Sequence, residues 1–423
     1  MKYIATDVND TPDRMLAMVE AQRKKAGFAI DQYFYRSHLT YEKELDAIFF
    51  KSWLYAGHIS QIPNNGDYFL YDVGEDSIII NRDHNGQVSA SFNICRHRGA
   101  RVCEQPEGNC KTFVCPYHGW VYNTDGSLKA ARHMDIGEGF DDANYGLKKP
   151  QLEVFHGLIF VNCNQDAATF TPDMEKVAPA LAAYDLNNAK VAHQQTYTVD
   201  ANWKLALENY LECYHCATSH RAYAALHTLK DLHCNVQSVN DAMLARAEEI
   251  TGIPGITTDV YHVYTKEPHF GGGAYTSRYA LYEGYKTGSE NGQPVAPLMG
   301  DIKDYDGGAG DFQFGPLTFM LNYPDHCVLY RFTPRGLTET DMTIVWFVRA
   351  DAEEGVDYSK DAVTWLWHNT TLEDEFIIRR NSEGVNSRFF EPGPYNPEFE
   401  ALCMDFIEWY LLAIDQNAAG NKA

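Results

Sequence analysis

Two short segments of this chain each place one cysteine and one histidine on a tight loop. The first is Cys95-Arg-His97-Arg-Gly and the second is Cys115-Pro-Tyr-His118-Gly-Trp. The fold must bring the two loops together if their four ligands are to close around one metal centre. Two thiolates on one iron and two imidazoles on another suit a two-iron cluster, whose reduction potential then lies at about −150 to +300 mV. The pattern therefore predicts an electron acceptor.

A structural zinc site also accepts two cysteines and two histidines. Zinc fingers usually pair Cys with Cys and His with His, whereas each loop here carries one Cys and one His. This difference favours the two-iron cluster over zinc. Both half-motifs, together with Gly99, Gly119 and Trp120, resemble the Rieske [2Fe–2S] motif. The resemblance implies that the two cysteines and two histidines bind such a cluster.

A second motif lies in residues 202–220. The segment is rich in helix-forming residues, and Asp200 stands where an N-cap is expected. On one helix, Glu208, Glu212 and His215 would share a stripe because they are spaced i, i+4 and i+7. The pattern therefore predicts a helix with two carboxylates and an imidazole on one face.

His220 does not fit that stripe, since it would point about 140° away from His215 on an ideal helix. If both imidazoles bind one ion, the helix must end or distort between Cys216 and Ser219. Two histidines from one segment supply two of the three ligands in a 2-His-1-carboxylate site, which leaves positions open on a non-haem Fe(II) for O₂. A histidine packed in the core is the ordinary alternative, but the neighbouring cluster motif favours iron.

The segment from Asn202-Trp-Lys to Glu212-Cys-Tyr-His215-Cys-Ala-Thr-Ser-His220 resembles the iron-binding segment of Rieske oxygenases. The resemblance implies that His215 and His220 are iron ligands. It also implies that Glu212 links the iron histidine to a Rieske histidine of a neighbouring subunit, and that Asn209 joins it as a catalytic residue. Most ring-hydroxylating members carry Asp at the position of Glu212, whereas the glycine betaine demethylase and carnitine monooxygenase subgroup carries Glu.

The third iron ligand must come from elsewhere in the chain. Residues 361–380 have helical periodicity, and an acid on their weakly polar stripe is costly unless it is paired or metal-bound. The segment resembles the family's ligand helix, whose Asp lies ten residues before a Gly, which implies Asp374. Because Glu373 and Glu375 flank Asp374, a cluster of charges on the helix surface is the alternative interpretation of this segment. The stripe consists of Trp367, Thr371, Asp374 and Ile378.

The layout of strands and helices predicts an α+β protein of two domains. Residues 1–45 are expected to be helical and to pack on the catalytic domain. Residues 46–165 are expected to form an all-β Rieske domain with the cluster loops at one tip. Residues 166–423 are expected to form a helix-grip catalytic domain, an antiparallel sheet around a long helix, as the resemblance implies. Strand-like runs cover 68–73, 77–81, 259–264, 317–323, 327–332 and 342–348.

Composition restricts the classes of function. The net charge of −23 argues against nucleic-acid binding, and no stretch reaches the roughly 20 apolar residues of a membrane span. The N-terminal sequence lacks the apolar core of a signal peptide, so a cytoplasmic location is expected. Ten cysteines without a regular framework do not predict disulfides. Cys103 and Cys110 are interpreted as buried or incidental thiols, and the Cys213/Cys216 pair as neither redox-active nor zinc-binding.

The resemblance implies the oxygenase component of a multicomponent Rieske monooxygenase. Electrons would pass from NAD(P)H through a separate reductase to the cluster, and through Glu212 to the iron. No dinucleotide-binding fingerprint is visible in this chain. Family members form α₃ or α₃β₃ rings, and this subgroup tends toward a homotrimer.

The subgroup suggests a substrate that is a betaine-like quaternary ammonium compound, which loses an N-methyl group or has a C–N bond cleaved. Such a cation needs aromatic faces, each worth about 0.5–2 kcal/mol. The glycine-dense stretch 251–315 is interpreted as the substrate entrance, with a solvent loop or a subunit contact as the alternative. Hydroxylation of an aromatic ring or aromatic acid is the competing activity, and a simple electron carrier is the competing class. Candidate substrate residues are Tyr210, Tyr275, Tyr279 and Tyr282.

Overall fold

The structure is a computed structural model that describes residues 10–134, 139–228, 236–251, 263–264 and 273–419. It divides into two compact units. Residues 53–169 form the smaller unit, and the residues before and after them form the larger one. The predicted α+β class is confirmed, with an all-β unit that carries the cluster motif and a second unit of antiparallel sheet and helices.

The smaller unit contains three antiparallel sheets, ordered β1-β10-β9, β4-β3-β2-β5 and β6-β7-β8. The strands predicted over 68–73 and 77–81 are present as a hairpin. The bounds are β1 Leu54–His58, β2 Asp67–Val73, β3 Asp76–Arg82, β4 Val88–Phe92, β5 Glu107–Asn109, β6 Phe113–Val114, β7 Val121–Tyr122, β8 Leu128–Ala130, β9 Gln151–Phe155 and β10 Leu158–Asn162. Short 3₁₀ turns cover Ile59–Gln61 and Asp142–Asn144.

Both cluster loops leave the ends of strands in this unit. The first loop follows β4, and the second joins β6 to β7. Beneath them lies a core that includes the side chains of Cys95 and Cys115 together with Phe113, Trp120 and Tyr122. The strands therefore anchor the cysteine end of each loop in the core, which leaves the histidine end near solvent.

The larger unit is built on an antiparallel sheet ordered β11-β16-β15-β14-β13-β12. Its strands are β11 Ala189–Val199, β12 Ala274–Ala280, β13 Gly308–Phe314, β14 Thr318–Asn322, β15 Cys327–Gly336 and β16 Glu339–Arg349. The strand predicted over 259–264 lies largely outside the described residues, and its last two residues, Val263 and Tyr264, are not in a strand. The other three predicted runs are present.

Helices complete the larger unit. The long helix α9 contacts β11 and α5. A single π-helical turn, Leu45–Phe49, follows α3, and a 3₁₀ turn covers Leu186–Asn188. The helices are α1 Pro12–Arg23, α2 Tyr33–Arg36, α3 His38–Glu44, α4 Thr171–Ala182, α5 Trp203–Tyr210, α6 Cys216–Ser219, α7 Arg221–Leu226, α8 Val236–Thr251, α9 Lys360–Val385 and α10 Ala401–Ala419.

The prediction of one helix through the iron motif is wrong. Helix α5 is capped by the side chain of Asn202, not by Asp200, and it ends at Tyr210. The chain then turns because the Glu212 carboxylate accepts hydrogen bonds from the backbone N–H groups of Tyr214 and His215. Such local acceptors compete with helical hydrogen bonds. The break therefore lies before His215, and a second one separates α6 from α7 at His220.

A buried polar cluster fixes the start of α5. The Glu44 carboxylate accepts hydrogen bonds from Lys204 Nζ, Trp203 Nε1 and the Tyr410 hydroxyl, each at 2.6 Å. The Lys204 ammonium also lies 5.2–5.6 Å from the ring centroids of Tyr35, Trp203 and Tyr410. These contacts join α3 and α10 to the helix whose other end carries Asn209.

Candidate metal centres

The two cluster loops share one backbone turn. The N–H of Gly99 donates to the carbonyl of Cys95 at 2.9 Å, and the N–H of Gly119 donates to the carbonyl of Cys115 at 3.0 Å. Both glycines have positive φ, +80° and +72°. Apart from the glycine and its two chain neighbours, no heavy atom of the described residues lies within 4 Å of the position that a Cβ would take at either residue. Conformation, not space, therefore explains glycine at the two positions.

The four predicted ligands form two pairs. Cys95 and Cys115 are buried and adjacent, and burial raises the pKa of the Cys115 thiol. His97 and His118 are exposed, and their Nδ1 atoms lie 3.1 Å apart. Two sulfurs on the inside and two nitrogens on the outside match a cluster whose two irons have different ligands. If these residues bind such a cluster, the exposed imidazoles would lie at its solvent edge.

Two aromatic side chains support the cluster loops. The Tyr122 hydroxyl lies 3.2 Å from Cys95 Sγ and accepts a hydrogen bond from the backbone N–H of Arg96 at 3.0 Å. Trp120 stacks on His97 with ring centroids 5.0 Å apart. Hydrogen bonds to ligand sulfur are one of the means by which proteins set the potential of such clusters. Tyr122 was missed by sequence reasoning, although its place two residues after Trp120 is visible in the sequence.

The predicted iron ligands come together in the larger unit. His215 Nε2 and His220 Nε2 lie 3.0 Å apart, and Asp374 Oδ1 lies 3.4 and 3.0 Å from them. Bonds of about 2.1 Å at right angles place ligand atoms about 3 Å apart, so the spacing fits one ion with these three ligands on one face. Asp374 Oδ1 is buried and, despite this proximity, accepts no well-directed hydrogen bond. The three atoms therefore lie close enough together to bind a single ion.

Two further carboxylates hold the outer nitrogens of these imidazoles. Glu212 Oε1 lies 2.5 Å from His215 Nδ1, and Glu373 Oε2 lies 2.9 Å from His220 Nδ1. A carboxylate at Nδ1 fixes the tautomer that leaves Nε2 free for a metal. Glu373 is thus next to the site without facing its centre, and sequence reasoning missed this contact. Asn209 Nδ2 lies 3.4 Å from His215 Nε2, on the metal side.

The charges at this site favour a bound cation. Burial acts to lower the pKa of His215, but the Asp374 and Glu212 carboxylates outweigh it and raise that pKa to about 9. The pKa of His220 is raised against burial chiefly by Asp374. Burial acts to raise the pKa of Asp374, and the two imidazoles nevertheless hold it below its usual value. Three carboxylates around two imidazoles therefore stabilise positive charge at their centre.

A disulfide joins Cys213 to Cys216, contrary to the sequence-based expectation that the chain has none. Sequence reasoning failed because the turn at Glu212 brings the two cysteines side by side. The sulfur of Cys216 lies within 4.8 Å of one ring nitrogen of His215 and one of His220. As a disulfide sulfur it has no thiolate to donate, so Asp374 is the better third ligand.

A cavity of about 420 Å³ adjoins the three converging side chains, which form part of its wall. This volume suits a small molecule. Tyr210, Tyr275 and Tyr279 line it, whereas Tyr282 is not among its described lining residues. Asp311 also lines the cavity, and sequence reasoning missed it. Further aromatic lining residues that the sequence did not single out are Tyr223, Phe319 and Trp367.

The glycine-dense stretch 251–315 lies partly outside the described residues. Its described part contains β12 and β13, so it is not simply the loop that the glycine content suggested. One face of these two strands supplies Tyr275, Tyr279, Asp311 and Gln313 to the cavity. Strand alternation, not loop flexibility, therefore places these side chains in the same cavity as the three predicted metal ligands.

Comparison with known proteins identifies the families of both domains. Residues 52–141 match the family model described as Rieske [2Fe-2S] domain, and residues 186–416 match that described as ring hydroxylating alpha subunit (catalytic domain). The chain belongs to the Rieske ring-hydroxylating oxygenase family. It is therefore an oxidoreductase subunit with a [2Fe–2S] domain and a non-haem iron domain, and it is the oxygenase component of a multicomponent system.

Oxygenase subunits from two organisms are similar to this chain over most of its length. The glycine betaine monooxygenase oxygenase subunit of Chromohalobacter salexigens is 32% identical over 97% of this chain and 92% of its own length. That of Pseudomonas aeruginosa is 33% identical over 90% and 88%. A solved quaternary ammonium Rieske monooxygenase superposes with a TM-score of 0.69 at 21% identity, over 96% of this chain and 99% of its own. None of the described helices is long and apolar enough to cross a membrane.

Proposed function

We propose that this Rieske oxygenase subunit hydroxylates an N-methyl carbon of a small quaternary ammonium compound and so removes that methyl group. The observation that carries the proposal is the cavity, in which aromatic rings stand beside the His215, His220 and Asp374 side chains. Aromatic faces are the usual recognition element for quaternary ammonium groups. The names of the relatives, glycine betaine and carnitine monooxygenase oxygenase subunits, support the same substrate class.

In this proposal, Cys95, His97, Cys115 and His118 hold the [2Fe–2S] cluster. The second metal is an iron held by a triad of residues on the other unit, and the bound iron supplies the binding and reduction of O₂. The rest of the chemistry depends on side chains of this chain. The cavity rings hold the methylammonium group beside the triad, and Glu212 keeps a proton on His215 Nδ1. The triad consists of His215, His220 and Asp374.

The reaction balances with two electrons and two protons. One oxygen atom of O₂ is inserted into a C–H bond of the N–CH₃ group to give N–CH₂OH, and the other takes up the two electrons and two protons and leaves as water. The C–N bond of the N–CH₂OH group then breaks, and formaldehyde, a proton and the tertiary amine are released. Cleavage of another C–N bond is the corresponding outcome when a carbon other than the methyl group is hydroxylated.

We further propose that the electrons come from NAD(P)H through a separate flavin or iron–sulfur reductase and that the chain acts as a homotrimer in the cytoplasm. Glu212 would then link His215 of one subunit to a Rieske histidine of a neighbouring subunit. Two features support this electron path. Glu212 bonds the outer nitrogen of His215, and the cluster histidines are exposed.

The decisive experiment measures formaldehyde release and coupled O₂ consumption with a surrogate reductase and NADH. The substrate panel contains glycine betaine, carnitine, choline and benzoate. We expect formaldehyde with at least one quaternary ammonium compound, in a one-to-one ratio with O₂. The His220→Ala variant, which keeps the [2Fe–2S] spectrum, is expected to release none. Coupled turnover with benzoate alone would instead support the competing aromatic hydroxylation and overturn the proposal.

A further inference from the structure

Outside the predicted metal site, two acids line the cavity, the exposed Glu398 and Asp311, and among the described residues no cation pairs with Asp311. Asp311 lies in the middle of β13, between its cross-strand neighbours Ser277 on β12 and Leu321 on β14. Ser277 lies two residues from Tyr275 and two from Tyr279, and residues two apart in a strand point to the same face of the sheet. Because Asp311 lies opposite Ser277, its side chain shares that face with the two tyrosines. The carboxylate therefore lies in the cavity wall among aromatic rings.

The arginine on the neighbouring strand is already paired. Arg278 is adjacent to Ser277 and points to the opposite face of the sheet, where its guanidinium bonds the buried Asp306 carboxylate. Among the described residues that line the cavity, there is no lysine or arginine. The described hydrogen-bond partner of the Asp311 carboxylate is the backbone N–H of Phe312.

A carboxylate in such a place is costly. Removal from water without a paired cation disfavours the charged form of an acid. Burial accordingly raises the pKa of Asp311 to about 7. A residue with a strongly shifted pKa in a cavity beside metal ligands is a candidate for function, since folding alone gains nothing from it.

The surrounding phenols remain neutral and present their rings. Burial, with a contribution from the Asp311 charge, raises the pKa of each of them above its ordinary value. Tyr223 and Tyr279 are held in place by a 3.3 Å contact between their hydroxyl oxygens, and Tyr223 stacks on the buried His227 at 3.9 Å. One carboxylate thus lies within electrostatic reach of several fixed ring faces. The four phenols are Tyr210, Tyr223, Tyr275 and Tyr279.

We propose that Asp311 is the substrate-recognising carboxylate of the cavity and pairs with the positive charge of the methylammonium group. The aromatic rings provide the surface for the methyl groups, and Asp311 provides the counter-charge that the rings lack. A neutral aromatic substrate has no positive charge that could pair with this carboxylate. The inference rests on the proposed function and deepens it, because it names the residue that distinguishes a cation from a neutral molecule of the same shape.

The test compares choline with 3,3-dimethylbutan-1-ol, in which carbon replaces the quaternary nitrogen. Binding to the purified, cluster-loaded full-length protein is measured by isothermal titration calorimetry, which does not depend on turnover. We expect choline to bind the wild type on the order of tenfold to a hundredfold more tightly than the neutral isostere. Asp311→Asn should remove most of this preference and leave the smaller part that the aromatic faces supply, and Asp311→Glu should restore part of the loss. Iron and sulfide content of each variant serves as the check on folding.

Asp301→Asn is the matched control, because it removes one exposed carboxylate outside the cavity. It should keep the wild-type preference. An Asp311→Asn variant that prefers choline as strongly as the wild type would overturn the role of Asp311, even if formaldehyde release by the wild type upholds the proposed function. Equal binding of choline and its isostere by the wild type would overturn it as well. Absence of formaldehyde release from every cation, with the binding preference intact, would overturn the proposed function and leave cation recognition by Asp311 standing.

Discussion

The carboxylate of Glu212 lies 2.5 Å from Nδ1 of His215, and its second oxygen accepts the backbone N–H of the same histidine at 3.2 Å. One side chain therefore both turns the chain after α5 and orients the imidazole. The same carboxylate is the proposed electron link between subunits. The structural role and the proposed electron-transfer role can be separated by mutation, because an uncharged acceptor oxygen is enough to accept the backbone hydrogen bonds.

Glu212→Gln should keep the backbone acceptor and remove the charge. We expect wild-type cluster content and about 10–100-fold slower oxidation of the reduced cluster by O₂ and substrate, since loss of a ligand's outer partner typically costs that much. Stopped-flow absorbance of the cluster measures the rate. Glu383→Gln, on the exposed end of α9, is the control and should oxidise at the wild-type rate. A Glu212→Gln variant as fast as the wild type would exclude Glu212 from the electron path.

Asp374 and Glu373 are adjacent acids that contact different atoms of the site. Asp374→Asn removes the charged oxygen that faces both Nε2 atoms, so we expect iron beyond the cluster's two to be lost on dialysis. Glu373→Gln changes only the outer contact to His220 Nδ1, and we expect iron affinity to fall about 10–100-fold. Iron-to-sulfide ratios after dialysis against graded chelator measure both. Equal retention by the two variants would contradict the assignment of Asp374 as the ligand.

The sequence predicted the ligand types and the α+β class because ligand spacing and hydrophobic alternation are local properties. It failed where a side chain competes with the backbone, as Glu212 does when it ends α5 and brings Cys213 to Cys216. It also failed to single out Asp311, since the environment of that carboxylate is made by neighbouring strands. Its alternation with Ala309 and Gln313 on β13 was a visible signal, but which face of β13 lines the cavity depends on tertiary packing.

Tyr122 should raise the reduction potential of the cluster, because its hydroxyl lies 3.2 Å from Cys95 Sγ. Removal of one hydrogen bond to a sulfur ligand disfavours the reduced, more negative cluster. Tyr122→Phe should therefore lower the potential on the order of 50 mV, as a loss of about 1 kcal/mol implies for one electron. A redox titration followed by electron paramagnetic resonance measures it. Tyr68 packs against the same core, but among the described residues its hydroxyl has no hydrogen bond to Cys95 or Cys115, so Tyr68→Phe should leave the potential unchanged.

Substrate selection should depend on pH through Asp311. Because burial raises the pKa of this acid to about 7, the carboxyl is neutral below about pH 7 and charged above it. For a cationic substrate, kcat/KM, which reports the free enzyme, should rise with pH and level off above that value. The neighbouring phenols stay protonated throughout, since their pKa values are raised. The Asp311→Asn variant should lack this step in its kcat/KM profile, and an unchanged step would assign it to another group.

Lys204 and Glu44 form a fully buried ion pair 2.6 Å apart, which ties the N-terminal helices to α5. Burial lowers the pKa of Lys204 even though Glu44 opposes that effect, so each charge depends on the other. Lys204→Met leaves the Glu44 carboxylate buried without a cation, and we expect a loss of about 3–5 kcal/mol in the free energy of unfolding. Urea titration followed by tryptophan fluorescence measures it. The double variant Glu44→Gln with Lys204→Met should lose less than the sum of the single variants, because no unpaired charge remains. Additive losses would mean that packing against Trp203 and Tyr410, and not charge pairing, holds this cluster together.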